Sequence, residues 1–158
     1  MNLWHALIII HTIFALVALV SGCLLISKHF ITKYKWLIDL FIVATIGLTI
    51  FMIGATASHW SDIGAEEQIA FTLLPLLALY MIYRTVQARK MLHSEEWSHY
   101  VDSVGFVIIA LLSGFAVVAL LDLGLPAWLI PLIVILVVLA TNKYLARVKQ
   151  RFIYLNNL

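Results

Sequence analysis

Long apolar stretches alternate with short polar segments along the whole chain. Each stretch is about 20 residues long, which is the length that an α-helix needs to cross the hydrocarbon core of a bilayer. The pattern predicts helices at about 3–26, 36–57, 69–90, 94–122 and 127–150, with Ser94 as the N-cap of the fourth. These helices leave no room for a separate soluble domain, so residues 1–158 are predicted to form a single transmembrane domain.

The ten Lys and Arg residues are confined to three short segments along the chain. They lie at 28–35, 84–90 and 143–151, after the first, third and fifth apolar stretches. Because Lys and Arg accumulate on the cytoplasmic side of membrane proteins, this arrangement places the N-terminus outside and the C-terminus inside. The predicted fold is an all-α integral membrane bundle of five transmembrane helices, in a bacterial cytoplasmic membrane. On the last helix a basic stripe is formed by Lys143, Arg147 and Arg151. Such a stripe is typical of anchoring to anionic headgroups.

Composition agrees with a membrane protein and excludes an ordinary soluble domain. Hydrophobic residues make up 64% of the chain and charged residues 11%. The net charge of +2 comes from the anchoring cations and does not indicate nucleic-acid binding. The segment 20–23, which ends at Cys23, resembles a lipoprotein cleavage site. Leu24 and Leu25 continue the apolar run beyond it, so cleavage is not expected.

Helix 1 carries the sharpest pattern, a stripe of small residues that begins at a histidine. His11, Ala15, Ala18 and Gly22 share one face at 100° per residue. Small residues let a neighbouring helix approach closely, so this face is predicted to point into the bundle. At a rise of 1.5 Å per residue, His11 would lie about 10–12 Å below the outer surface. It is either a functional residue or a neutral histidine bonded to a threonine or carbonyl of the next helix.

Helix 2 presents two different faces. A polar stripe rises along one of them to the outer surface, and it consists of Thr45, Thr49, Met52, Thr56 and His59. Threonines in membrane helices commonly donate to a preceding carbonyl, so this stripe is only modest evidence for a lined path. The other face carries Gly47 and Gly54, seven residues apart, which predicts close packing against another helix.

Four side chains near the outer surface are candidate cofactor ligands, namely His11, His59, His5 and Met52. Two axial ligands of one haem iron must lie at the same depth. His5 and His59 match in depth, as do His11 and Met52, whereas His59 is roughly two helical turns shallower than His11. The chain has no Cys-x-x-Cys-His motif. A haem would therefore be a noncovalent haem b.

Towards the inner side, Asp39, His99 and Asp102 are candidates for proton handling or for a structural polar network. His99 and Asp102 are i, i+3 neighbours, so the carboxylate can orient the imidazole. Asp39 lies about one turn inside helix 2. The favoured interpretation is that the aspartates simply pair with cations such as Arg84 or Lys90.

The stretch from His11 to Gly22, the basic loop that follows it and the end of helix 3 resemble an uncharacterised family of small bacterial polytopic membrane proteins. The residues of helix 3 that carry the resemblance are Tyr80, Tyr83 and Arg84. The family pattern has Gly-x-x-His in the first inner loop, where this chain has Lys-Tyr-Lys-Trp at 33–36 and His29 upstream. The resemblance implies a membrane-helix architecture rather than a particular activity.

Three classes of function remain open at this point. The first is a non-catalytic accessory or assembly subunit of a membrane complex, which is the favoured class because no hydrolase or nucleotide-binding motif is present. The second is an electron-transfer protein that binds haem b or a quinone. The third is a small oligomeric transporter or channel that depends on His11, Asp39 or Asp102. Expected partners are the lipid bilayer and either another membrane protein or further copies of the chain.

Overall fold

The computed structural model describes residues 3–27, 33–58, 60, 65–94, 96–123 and 129–156. Five long helices account for nearly all of these residues. They are α1 (Leu3–Leu25), α2 (Trp36–Ser58), α3 (Ala65–His93), α4 (Trp97–Asp122) and α5 (Leu129–Asn156). The described part of the chain contains no strand. The all-α prediction is therefore confirmed.

Four of the five helices are long and apolar enough to cross a membrane, and they indicate a multi-pass membrane protein. Their apolar windows are Leu3–Leu25, Trp36–Ser58, Trp97–Ala119 and Pro131–Gln150. Helix α3 is not among these four. Three cations, Arg84, Arg89 and Lys90, lie in its last third.

The turn between α3 and α4 differs from the sequence prediction. Helix α4 begins at Trp97, not at Ser94. The Ser94 hydroxyl donates to the carbonyl oxygen of Met91 at 3.3 Å, and its N–H donates to that of Lys90 at 3.2 Å. Ser94 therefore satisfies carbonyls at the end of α3, where they lack helical partners. It does not cap the start of α4.

The first four helices form a closed ring. Helix α1 packs on α2 and α4, and α3 packs on the same two helices from the other side. Helix α5 lies outside the ring, with its main contact on α4. This placement leaves α5 largely open to lipid. Only 6% of the residues in its apolar window are buried, against 50% for α2.

The contact between α1 and α2 is the most extensive in the molecule, and a glycine makes it close. The ring of Phe14 on α1 lies directly over Gly47, where a Cβ atom would be 2.5 Å from the ring. The same ring stacks on Phe51 with centroids 5.5 Å apart. The predicted close packing is therefore present at Gly47, whereas a Cβ atom on Gly54 would meet Leu7 at 3.8 Å, an ordinary contact.

The small-residue stripe on α1 points into the bundle, as its periodicity predicted. Ala15 and Ala18 are 4% and 0% exposed, and Gly22 is also buried. Gly22 lies between Phe41 of α2 and Ile108 of α4. The stripe is thus the surface through which α1 contacts two neighbouring helices at once.

Candidate functional site

The described ion pairs lie at one end of the bundle and differ from the predicted ones. Asp39 near the start of α2 pairs with Arg89 near the end of α3 at 3.2 Å. The Lys149 ammonium donates to Asp102 at 2.7 Å and so connects α5 to α4. The predicted partners Arg84 and Lys90 make neither contact. The side chains of both pairs are partly exposed in the chain alone, and such pairs contribute little stability in water.

His99 is exposed, and the Asp102 carboxylate is directed to Lys149. The sequence placed His99 and Asp102 on neighbouring positions of one helix, which is correct. The structure supplies Asp102 with a cation from α5, and a neighbour outside the helix is what sequence spacing alone cannot reveal.

The buried threonines of α2 are satisfied within their own helix. Thr45 donates to the carbonyl of Phe41, and Thr49 donates to that of Thr45, both at 2.8 Å. Thr45 and Thr49 are 0% and 2% exposed. These hydroxyls therefore complete a packed interior rather than line a path, which is the interpretation that the sequence favoured.

His11 joins α1 to α2 through a hydrogen bond to the main chain. Its Nδ1 lies 3.0 Å from the carbonyl oxygen of Leu48. A carbonyl can only accept, so Nδ1 carries the hydrogen and donates it. In the neutral ring the lone pair then resides on Nε2. Of the two interpretations offered by the sequence, the hydrogen bond across the helix interface is present.

Of the other three candidate cofactor ligands, the structure places one near His11. Met52 is half-buried on α2, one helical turn after Leu48, and so lies in the region that His11 contacts. His5 is exposed and meets the ring of Trp4 edge-on at 4.9 Å. His59 lies outside the described residues. Among the residues that the structure describes, no three His, Cys, Asp or Glu side chains form a group that could hold a metal ion.

Arg84 on α3 is the side chain whose importance the sequence did not reveal. Its guanidinium lies over the ring of Phe106 on α4, 5.6 Å from the centroid. Its Nε is buried and has no hydrogen-bond partner. Arg84 is five residues before Arg89 on the same helix. Its position along the helix axis is therefore about 7–8 Å deeper in the bundle than that of Arg89. The sequence grouped it with the basic inner segment, which concealed this depth.

The ring that Arg84 contacts belongs to a cluster of three aromatic side chains on α3 and α4. Tyr80 meets Phe106 edge-on at 5.0 Å and stacks with Tyr83 at 5.9 Å. Tyr80 and Tyr83 are 45% and 54% exposed. We call the surface formed by Tyr80, Tyr83, Arg84 and Phe106 the Arg84 face.

In the described part of the chain, one other buried polar side-chain atom has no hydrogen-bond partner. It is the hydroxyl oxygen of Ser113 on α4. A serine hydroxyl is neutral, and leaving it unpaired costs less than leaving a charged donor unpaired. Arg84 is therefore the stronger indication of an incomplete environment.

Comparison of the chain with protein families, with curated proteins and with solved structures finds no match. The resemblance to small bacterial membrane proteins therefore stays a prediction. The arguments about function that follow depend on the geometry of the chain itself.

Proposed function

We propose that this chain is a non-catalytic accessory or assembly subunit of a larger membrane complex. In this proposal all five helices cross a bacterial cytoplasmic membrane, with the N-terminus outside and the C-terminus inside. The observation that carries the proposal is that the half-buried guanidinium of Arg84 contacts an aromatic ring and forms no ion pair with a described residue.

The orientation is supported by the positions of the cations. The pairs Asp39–Arg89 and Asp102–Lys149 bring the start of α2, the end of α3, the start of α4 and the last third of α5 to one end of the bundle. The described parts of the three basic segments adjoin that end, as the positive-inside rule requires of a cytoplasmic surface. A reporter fused after Leu158 should read cytoplasmic, and an external signal would reverse both leaflet assignments.

The chemistry of Arg84 specifies what its partner must provide. A guanidinium stays charged and has five N–H donors in a rigid fork. Contact with an aromatic ring such as Phe106 contributes roughly 0.5–2 kcal/mol and satisfies none of those donors in full. A carboxylate can accept two of them at once. We therefore infer that Arg84 pairs with an Asp or Glu on a transmembrane segment of the partner.

The surroundings of Arg84 suit a protein partner. Tyrosine and arginine are enriched where protein interfaces have their largest energetic contributions. Tyr80 and Tyr83 provide rigid exposed rings beside the charge. The preceding turns of α3 add exposed leucines that a partner helix can cover, namely Leu73, Leu74, Leu76, Leu77 and Leu79.

The proposal is tested by the size of the complex in native membranes. After mild solubilisation, the wild-type chain should migrate on a native gel in a complex larger than itself. Arg84→Gln should reduce that species at least tenfold, because it removes the charge from the interface. Arg84→Lys should give an intermediate amount, because an ammonium lacks the planar fork of the guanidinium.

Lys90→Gln is the matched control, since Lys90 is an exposed cation nearer the end of the same helix. This variant should leave the complex unchanged. A wild-type chain that migrates only at its own size would contradict the proposal. So would an Arg84→Gln variant that assembles as well as the Lys90→Gln control.

A second candidate function, electron transfer with haem b or a quinone, is favoured by the geometry of His11. The hydrogen bond from Nδ1 to Leu48 fixes the tautomer and leaves Nε2 with its lone pair. This is the arrangement in which histidines commonly bind metals, with the other ring nitrogen held by a carbonyl. The same Nε2 can accept a hydrogen bond from a quinol. Met52, His5 and His59 remain the other proposed ligands.

The redox candidate is tested by the visible spectrum of the purified protein before and after dithionite reduction. A haem b would give a Soret band and an α-band that sharpens on reduction. His11→Ala should abolish both bands, whereas His99→Ala at the opposite end of the bundle should not. If protein purified from cells supplied with haem gives a featureless spectrum, haem b is excluded as its cofactor.

A further inference from the structure

A groove runs between α1 and α5 on the lipid-facing side of α4, and we call it the α1–α5 groove. Its volume is about 320 Å³, within the range of roughly 300–1,000 Å³ that small-molecule sites occupy. Side chains from all three helices line it, among them Cys23 and Ile26 of α1, Ile108 and Leu112 of α4, and Ala140 and Tyr144 of α5.

The groove follows from how α4 is shared by its neighbours. Helix α5 approaches α4 through Leu145, whose Cδ1 would lie 2.5 Å from a Cβ atom on Gly105. Helix α1 contacts a different face of α4, where the Tyr100 hydroxyl donates to the carbonyl of Leu25 at 3.1 Å. Helices α1 and α5 thus contact α4 side by side without closing on each other, and Ile108 forms the floor between them.

The groove is mostly apolar, and a cation lies beyond one end of it. The Thr141 hydroxyl that borders it donates to the carbonyl of Val137 and so presents no free donor. Arg147 follows Ala140 and Tyr144 along one ridge of α5, about one turn beyond Tyr144. Lys149 is already paired with Asp102, whereas Arg147 has no ion-pair partner among the described residues.

We propose that the α1–α5 groove is a binding site for an anionic phospholipid. One acyl chain lies between α1 and α5, and the phosphate is bound by Arg147. The charge of the headgroup and the apolar chain each match one part of the site. A basic residue near the membrane surface favours an anionic lipid by about 1 kcal/mol, or roughly fivefold. Arg147 should therefore give about a fivefold preference over a zwitterionic lipid.

The only cysteine of the chain lines this groove and is exposed, which allows the unmodified protein to report its occupancy. The purified full-length chain is held in micelles, and the rate of Cys23 alkylation by N-ethylmaleimide is measured. Phosphatidylglycerol should slow the reaction at roughly fivefold lower concentration than phosphatidylcholine. Inorganic phosphate should not slow it, because the phosphate alone does not occupy the groove.

The variants separate specific binding from general attraction to a basic surface. Arg147→Gln should make the two lipids equally weak protectants. Lys90→Gln, which removes an exposed cation from α3, should keep the full preference. Equal protection of the wild type by the two lipids would overturn the proposal. So would an equal loss of preference in the Lys90→Gln control.

A second measurement does not depend on thiol chemistry. Native mass spectrometry should detect one retained phosphatidylglycerol per chain. Ala140→Trp, which fills the groove, should remove it. If protection of Cys23 increases with protein concentration and not with lipid, the groove is an interface between copies of the chain and the proposal is wrong. The site is separate from the Arg84 face, so Arg84→Gln should leave the lipid preference intact.

Discussion

His11 and Arg84 are both ionisable side chains on apolar helices, and their environments differ sharply. His11 lies in the α1–α2 contact, where its Nδ1–H is bound to the carbonyl of Leu48. Arg84 lies on α3, where its guanidinium contacts the ring of Phe106 on α4 and its Nε has no hydrogen-bond partner. The sequence singled out His11 by its position on a small-residue stripe. The structure shows that the more incomplete environment belongs to Arg84.

This contrast refines the rule that an ionisable residue inside a membrane protein indicates function. Depth alone does not separate a residue that holds two helices together from one that awaits a partner. The useful criterion is whether the donors of the side chain are already satisfied within the chain. By that criterion the α1–α2 contact has a structural role, and the Arg84 face is the better candidate for recognition.

The largest effect is expected at Gly47, because the closeness of the α1–α2 contact depends on it. Gly47→Ala places a Cβ atom against the ring of Phe14 and should destabilise the fold by about 1–3 kcal/mol. Gly54→Ala is the matched control. There a Cβ atom would meet Leu7 at 3.8 Å, an ordinary contact.

The comparison is made by thermal unfolding of the two purified variants in the same detergent. Gly54→Ala should be neutral or slightly stabilising, since alanine favours the helix. Equal stability of both variants would mean that Phe14 moves aside easily and that the contact is not closely fitted.

Replacing His11 tests whether its role is structural. His11→Leu loses the hydrogen bond to Leu48, and bonds of this kind between membrane helices contribute about 0.6 kcal/mol on average. A small fall in unfolding temperature is expected, with no change in the size of the native complex. Loss of the complex in His11→Leu would move the recognition site from the Arg84 face to the α1–α2 contact.

The smallest effect is expected for the ion pair between α4 and α5. Asp102→Asn should destabilise the fold by at most about 1 kcal/mol, because the two side chains are partly exposed. The difference from wild type should shrink as salt is raised from 50 mM to roughly 1 M. A loss of several kcal/mol that is insensitive to salt would show that the pair is buried by lipid or by another protein.

The sequence predicted those features that depend on periodicity within one helix. The helical spacing of small residues predicted the buried face of α1. Gly47 on α2 predicted the close contact between α1 and α2. The partners of Asp39 and Asp102 were not predicted, because they depend on how helices align with one another. A shift of one position rotates a side chain by 100°, so Arg89 and Lys90 are very different neighbours for Asp39.

The remaining differences have equally local causes. The start of α4 was placed too early because Ser94 has the composition of a cap and its hydroxyl can serve either helix. Arg84 was taken for part of the basic inner segment because its depth depends on where α3 ends. Helix α3 continues to His93, and Arg84 consequently lies well inside it.

The most direct test of this account is the stability of the isolated chain with and without the charge of Arg84. We would purify wild type and Arg84→Leu free of other proteins and compare their free energies of unfolding in one detergent. If Arg84 lacks a partner within the chain, Arg84→Leu should be equally stable or more stable. A loss of more than about 2 kcal/mol would mean that the chain itself satisfies Arg84, and it would contradict the proposed role of the Arg84 face.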